Sequence, residues 1–276
     1  AAGALGVGLA ACGDDSNTAA QPPSTDNTDT IAPPDTTAAP TTVAPGFEHP
    51  TGADDVVVEI AYEGGFLPVE MAFAQLPTLL VTGDGRQFTL GPQIEIYPQP
   101  LLPNVLVSDI GEEGIQRLLD LAAEHGLLTH REYTRNDMIA DAADTVVRIS
   151  ANGETYEHRA YALGSDTEET GERAELEAFV QAVTAELPMD EATYEPDTYL
   201  IRATPVEDTS VYDVEPTFVD WPVESSLALA GATDCAEVPA TQVEDLFAGA
   251  DQLTLFVQGD VPYQLSVKPQ LPGDAC

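Results

Sequence analysis

The chain has 276 residues and 29.2 kDa, with 48 Asp and Glu against 9 Lys and Arg, a formal net charge of −39 at pH 7. A surface so poor in cations is repelled by phosphates and anionic headgroups, which argues against a nucleic acid partner and against direct docking onto acidic lipid. The length exceeds the ~100–200 residues of a single domain, so one or two folded units are expected.

The sequence opens on small and apolar residues from Ala1 to Ala11, followed by Cys12. Such a run is too short for a membrane span, which needs about 20 residues, but it suits the apolar region of a signal peptide. Leu9-Ala10-Ala11-Cys12 resembles the lipobox of bacterial lipoproteins. That resemblance implies cleavage before Cys12 and a diacylglyceryl group on its thiol, and two acyl chains anchor stably where one does not. The alternative is a buried helix with a chance cysteine. Residues 13–52 are rich in Thr, Pro, Ala, Ser and Asp, with six acids and no base. They bury too little to offset chain entropy and read as a disordered tether with polyproline II bias. Extended at about 3.1 Å per residue, the tether reaches on the order of 100 Å.

From residue 53 the pattern changes to short β-rich runs and three marked helices. Val56 to Tyr62 reads as a strand that ends at Gly64-Gly65. Thr78–Thr82 and Arg86–Leu90 flank Gly83-Asp84-Gly85, the turn chemistry of a hairpin. Ile94 to Tyr97 reads as a short strand, followed by a proline-punctuated loop to Asn104. A helix is expected from Asp109, capped by that residue with Glu112 reaching back, and ending at Gly126. Its Ile115, Leu118, Leu119 and Ala122 fall on one stripe. Thr145–Ile149 and Thr155–Leu163 form a second hairpin around Asn152-Gly153. A second helix over about 169–187 aligns Leu176, Phe179, Val180, Val183 and Leu187 and stops at Pro188. Thr198–Ala203 reads as a strand. Thr241 with Glu244 suggests a capping box for a third, short helix ending at Gly249, and a last hairpin joins 253–257 to 263–267.

These elements define an α+β chain of mainly antiparallel sheet, built from hairpins with about three helices on one face. Helix followed by hairpin occurs twice, which suggests either two similar units or a single sheet. The expected organisation is a signal remnant and lipobox over 1–12, the tether over 13–52, a first α+β unit over 53–193 and a smaller second unit over 194–276. With Cys12 acylated, Cys235 and Cys276 are left as an even pair outside the cytosol, expected as a disulfide, with two free thiols as the alternative. Closing that loop contributes roughly 4 kcal/mol by the chain-entropy model.

Gly83-Asp84-Gly85-Arg86, the run Gly91 to Pro98, Leu102-Pro103-Asn104, Gly114-Ile115-Gln116, Tyr161 to Gly164, Trp221-Pro222, and Cys235 with the ending Pro269 to Cys276 together resemble a group of secreted lipoproteins of actinobacteria of unknown function. The resemblance covers most of residues 56–276. It implies a lipid-anchored envelope protein with a terminal disulfide and no assigned activity. The helix-plus-sheet arrangement is also similar, as architecture only, to the fold of β-lactamase inhibitory proteins.

Signatures of chemistry are sparse. Neither GxGxxG nor GxxxxGK[ST] occurs, and the single lysine, Lys268, precedes Pro269. His125 and His130 are five apart, with Gly126 between, and do not reproduce the spacing of HExxH; His49 and His158 stand alone, the latter read as a surface or cross-strand residue. There is no GxSxG elbow, no SxxK and no Asp-Thr-Gly or Asp-Ser-Gly. A glycosidase-like carboxylate pair stays open among so many acids. Asp54-Asp55, Glu168-Glu169 and Asp208, Asp213 and Asp220 offer oxygen ligands without the pattern of a calcium loop. Trp221 and Tyr97 are the candidate partner contacts, with core packing as the alternative for Trp221.

The expectation is therefore a non-catalytic binding or inhibitory module, lipid-anchored through Cys12 on the outer face of the cytoplasmic membrane. Its partners are the membrane, through the lipid, and an envelope protein or glycan; no cofactor, metal or nucleic acid is expected. The alternatives are a carboxylate-dependent envelope hydrolase and a cation-dependent acidic surface protein. With 42 acids and 9 bases in residues 53–276, the charge excess belongs to the domain and not only to the tether.

Overall fold

Glycine turns fold neighbouring β-rich runs into hairpins, and the hairpins assemble into two separate sheets rather than one. The computed structural model describes residues 46–135, 138–165, 168–185, 192–223 and 225–276. Among them are twelve strands and four α-helices, an α+β architecture with all but one strand pairing antiparallel.

The first sheet has seven strands: β1 (Val56–Gly64), β2 (Leu79–Thr82), β3 (Arg86–Leu90), β4 (Val105–Asp109), β5 (Ala143–Ala151), β6 (Glu154–Tyr161) and β7 (Ala192–Thr193), in the order β6-β5-β1-β2-β3-β4-β7. Asn152 and Gly153 both take positive φ, 54° and 77°, and turn β5 into β6. Two helices, α2 (Gly111–Glu124) and α3 (Glu172–Ala185), pack on one face. Ile115, Leu118, Leu119 and Ala122 of α2 and Leu176, Phe179 and Val183 of α3 close a core over Val58, Ile60, Leu79, Val81, Val147 and Ile149. Leu187 and Pro188 lie outside the described residues, as do Cys12 and the tether as far as residue 45.

The second sheet has β8 (Thr198–Pro205), β9 (Thr217–Asp220), β10 (Ala236–Pro239), β11 (Thr254–Gln258) and β12 (Val261–Pro269), in the order β10-β8-β12-β11-β9, with β9 parallel to β11. Helix α4 (Ala240–Ala248) sets Val243 and Phe247 onto Tyr199, Ile201, Phe256, Leu265 and Val267. The segment after β12 then returns to the first sheet. Leu271 joins Leu80, Phe88 and Val105 on the face opposite α2 and α3, and Tyr194 donates its hydroxyl to the Gln270 carbonyl at 2.9 Å. Cys235 and Cys276 are bonded, with Cα atoms 5.3 Å apart, so the chain end is held covalently just before β10.

Several local expectations are corrected. Ile94 to Tyr97 forms no strand, because no neighbouring strand pairs with it. Asp109 is the last residue of β4 and accepts from the Gly111 N–H at 2.9 Å, while Glu112 turns to Gln116 and His49 instead of closing a capping box. Pro239 occupies the N-cap of α4, so Thr241 already lies inside the helix and caps nothing. Folded structure also starts before residue 53. The Phe47 N–H donates to Gln116 Oε1 and the Gln116 amide to the Phe47 carbonyl, at 2.8 and 2.9 Å, and the Asn152 N–H donates to the Glu48 carbonyl at 2.6 Å.

Candidate functional site

The loop between β3 and β4, residues 91–104, is closed at its base and pinned at its far end. The Gly91 N–H donates to the Asn104 carbonyl at 2.9 Å, and the Asn104 amide donates to the Pro92 carbonyl at 3.1 Å. Further on, the Leu101 N–H donates to the Ala250 carbonyl and the Gln252 N–H to the Gln99 carbonyl, at 3.0 and 2.9 Å. Leu101 and Leu102 thereby reach the core of the second sheet. Between the two anchors the loop holds Ile94, Ile96 and Tyr97 in solvent, at 64%, 54% and 66% exposure, with a cis Tyr97–Pro98 bond.

A second segment presents the same character. After the Gly64-Gly65 stop, Phe66 to Pro68 lead into the five-residue helix α1 (Val69–Phe73), which buries none of its residues. Phe66, Val69 and Met71 stand well out of the protein. Met71 and Tyr97 line one cleft of about 370 Å³, whose other wall is Tyr212, Leu253 and the stretch Gln264 to Val267 of β12. The Tyr212 hydroxyl donates to Gln264 Oε1 at 3.2 Å and fixes that wall. Glu70 is the sole charged residue of the lining. Single exposed apolar side chains are ordinary on a protein surface, but contiguous patches mark interaction sites.

Of the residues singled out from the sequence, Tyr97 is on this surface and Trp221 is not. Trp221 is 4% exposed, its ring centroid is 6.1 Å from those of both Phe247 and Phe256, and its indole N–H donates to the Leu227 carbonyl at 3.1 Å. It is core, the packing role that stood as its alternative, and not an exposed contact. The segment 66–71 has neither helical nor alternating period, and its one signal in the sequence is an apolar run directly after two glycines.

His158 is a cross-strand residue, opposite Val147 of β5, and not a surface one. It is fully buried in β6, with Nε2 2.7 Å from the Leu127 carbonyl and Nδ1 2.9 Å from the Tyr133 hydroxyl. Nε2–H donates to the carbonyl, and in the neutral ring that burial favours, Nδ1 accepts from Tyr133. Burial pushes its pKa below the usual value of 6.5, against the pull of the Leu127 carbonyl. Burial pushes Tyr133 up to about 12. His125 and His130 go separate ways, to Glu175 at 2.9 Å and Glu154 at 2.8 Å, and no group of three or more His, Cys, Asp or Glu fit to hold a metal occurs among the described residues.

Two of the few cations are spent on one sheet face. Arg148 reaches Glu59, Glu157 and Glu63 at 2.9, 2.9 and 2.7 Å, and Arg159 reaches Glu63, Asp144 and Glu157 at 2.5, 3.2 and 3.5 Å. Burial works against the charge of Glu63, but hydrogen bonds from Arg159 and Arg148 outweigh it and hold the carboxyl below its usual range. Three of the acids considered for calcium have structural duties. Asp55 accepts from the Gly52 N–H, Asp208 from the Ser210 N–H, and Glu169 from Arg173, at 3.0, 2.9 and 2.6 Å. No described helix is long and apolar enough to cross a membrane.

Compared with protein-family models, with curated proteins and with solved structures, the chain matches none.

Proposed function

We propose that this protein is a non-catalytic binding module of the cell envelope, tethered through a lipid on Cys12, that engages a protein partner through Phe66, Val69, Met71, Ile94, Ile96 and Tyr97. The observation that carries the reading is the exposure of these six apolar side chains, of which Met71 and Tyr97 line one cleft, on a chain of net charge −39, where solubility alone would favour charged side chains. Support for the anchored setting comes from the lipobox-like Leu9 to Cys12 and from the Cys235–Cys276 disulfide, a bond that persists in oxidising compartments.

The test is position-specific photo-crosslinking on intact cells, with the reactive group at Tyr97 or, as control, at Glu154. Glu154 lies at the β5–β6 turn, at the other end of the sheet from Gly64 and α1. One adduct from position 97, lost on Met71→Asp, is the expected result. No adduct, or the same adduct from both positions, overturns the reading. A Cys12→Ala variant should leave the membrane fraction, and its retention there after washing without detergent contradicts the anchor.

A further inference from the structure

Pro100 borders a second cleft, of about 400 Å³, on the other side of the loop and at the junction of the two sheets. Pro103, Pro196 and Pro269 form part of its wall, and ring-fixed backbone of this kind makes a preformed cavity. Its volume lies within the roughly 300–1,000 Å³ of small-molecule sites.

The informative residue is Tyr199 in β8. It lines the cleft and is 7% exposed, with its ring set edge-on against Phe247 at 5.4 Å between centroids. Its hydroxyl has no hydrogen-bond partner among the described residues, as for the equally buried Tyr263, whereas the half-buried Tyr133, Tyr161, Tyr194 and Tyr212 each bond theirs. The ring is buried but the hydroxyl is not among the buried polar atoms left unpaired, so it stays open to solvent at the cleft, where a bound group can reach it. Two carboxylates, Glu195 and Glu244, line the same cleft, and neither meets a basic side chain within ion-pair distance among the described residues. Burial raises the pKa of Tyr199 and the charges of Glu244 and Glu195 raise it further, so both carboxylates act on the phenol. The cleft thus offers an apolar body-sized space, an unused hydroxyl and two uncompensated negative charges.

We infer that this cleft binds a small organic cation, an ammonium ion carried on a short apolar or aromatic body. The ammonium sits between Glu195 and Glu244 and donates to the Tyr199 oxygen, while the hydrocarbon lies against Phe247 and the prolines. The site does not depend on the apolar patch of Phe66 to Tyr97, and each reading stands or falls alone.

The test is calorimetric or NMR titration of the folded chain with 2-phenylethylammonium, with 2-phenylethanol as neutral isostere, in about 150 mM salt so that diffuse attraction is screened. Saturable binding of the ammonium, at least about tenfold tighter than the alcohol, is expected. Glu195→Gln with Glu244→Gln should weaken it about tenfold or more. Tyr199→Phe, which keeps the ring on Phe247, should weaken binding several-fold without lowering the melting temperature, since the lost hydroxyl bonded to nothing in the protein. A control pair far from the cleft, Glu113→Gln with Glu124→Gln, should leave affinity unchanged. Absent binding, equal binding of amine and alcohol, or equal loss in the control pair overturns the proposal. A lysine-bearing peptide that binds tighter than the free amine and loses affinity in the same variants also overturns it, by assigning the cleft to a protein side chain.

Discussion

Acidification from pH 7.5 to 5.0 should destabilise this protein progressively through one buried ring, that of His158. The native state holds the imidazole neutral, with Nε2–H on the Leu127 carbonyl and Nδ1 accepting from Tyr133. Protonating Nδ1 would set a second donor against the Tyr133 hydroxyl, inside the fold and near Arg131 and His130, both of which also disfavour the charge. The pKa in the folded state is therefore below 6.5, the value of a free ring. As pH falls through about 6.5 the unfolded chain takes up a proton that the native chain refuses. Stability then declines with a limiting slope of about 1.4 kcal/mol per pH unit until the folded pKa is reached. Down to pH 5.0 the loss is at most about 2 kcal/mol, and above pH 7.5 the ring contributes no slope because both states are neutral.

Urea unfolding of the wild type and of His158→Gln at pH 7.5, 6.5, 5.8 and 5.0 isolates this contribution from all other groups. Glutamine keeps an amide donor for Leu127 but does not titrate, and it removes the acceptor of Tyr133, so the variant starts lower by about 1–3 kcal/mol. The gap should then narrow steadily towards pH 5.0. Two curves that remain parallel across the range would refute the argument, since the native ring would then be binding its proton as readily as the unfolded one.

Three further outcomes follow from the packing and the charges. Cys235→Ser should lower unfolding free energy by about 4 kcal/mol, the entropy of a loop with sequence separation 41, measured by urea titration without reductant; an unchanged midpoint would mean the bond constrains nothing. Arg148→Met leaves Glu59, Glu63 and Glu157 without that cation and should cost about 1–2 kcal/mol in low salt, a loss that 1 M NaCl shrinks; a salt-independent loss would point to packing instead. Trp221, the single tryptophan, should emit at short wavelength and resist acrylamide quenching, and Phe247→Ala should cost about 3–5 kcal/mol and release both restraints.

Those elements whose cause is local were legible in the sequence. The turns at Gly83 to Gly85, Asn152-Gly153 and Gly259-Asp260 each set a hairpin, because the two strands and the geometry that joins them lie within about a dozen residues. The stripe of Ile115, Leu118, Leu119 and Ala122 is likewise written in one helix. Strand β4 was hidden because Val105 to Asp109 runs straight into α2, so its acidic end read as a cap. Strands β7, β9 and β10 are two to four residues long and owe their existence to distant partners, β9 to a parallel neighbour almost forty residues away. Of the site, Tyr97 was legible as an aromatic among prolines, whereas Glu195, Tyr199 and Glu244 meet only once the two sheets are built.

The arrangement of charge connects the two clefts. Most of the described basic side chains are tied to acids: Arg148 and Arg159 to the face of β1, β5 and β6, Arg173 to Glu169, Arg131 to Glu172, Arg86 to Asp84 and Lys268 to Asp274. Cations are thus consumed in holding the fold together, and neither cleft receives one. Each is lined by apolar and aromatic groups with carboxylates alone as charges, Glu70 in the first and Glu195 with Glu244 in the second. Any occupant must therefore bring its own positive charge or be neutral, and an anion meets the field of the whole chain as well as these carboxylates. The same excess of acid thus bears on both proposals, because it favours neutral or cationic groups over anions at the two places where the sheets and the loop of residues 91–104 leave hydrocarbon uncovered.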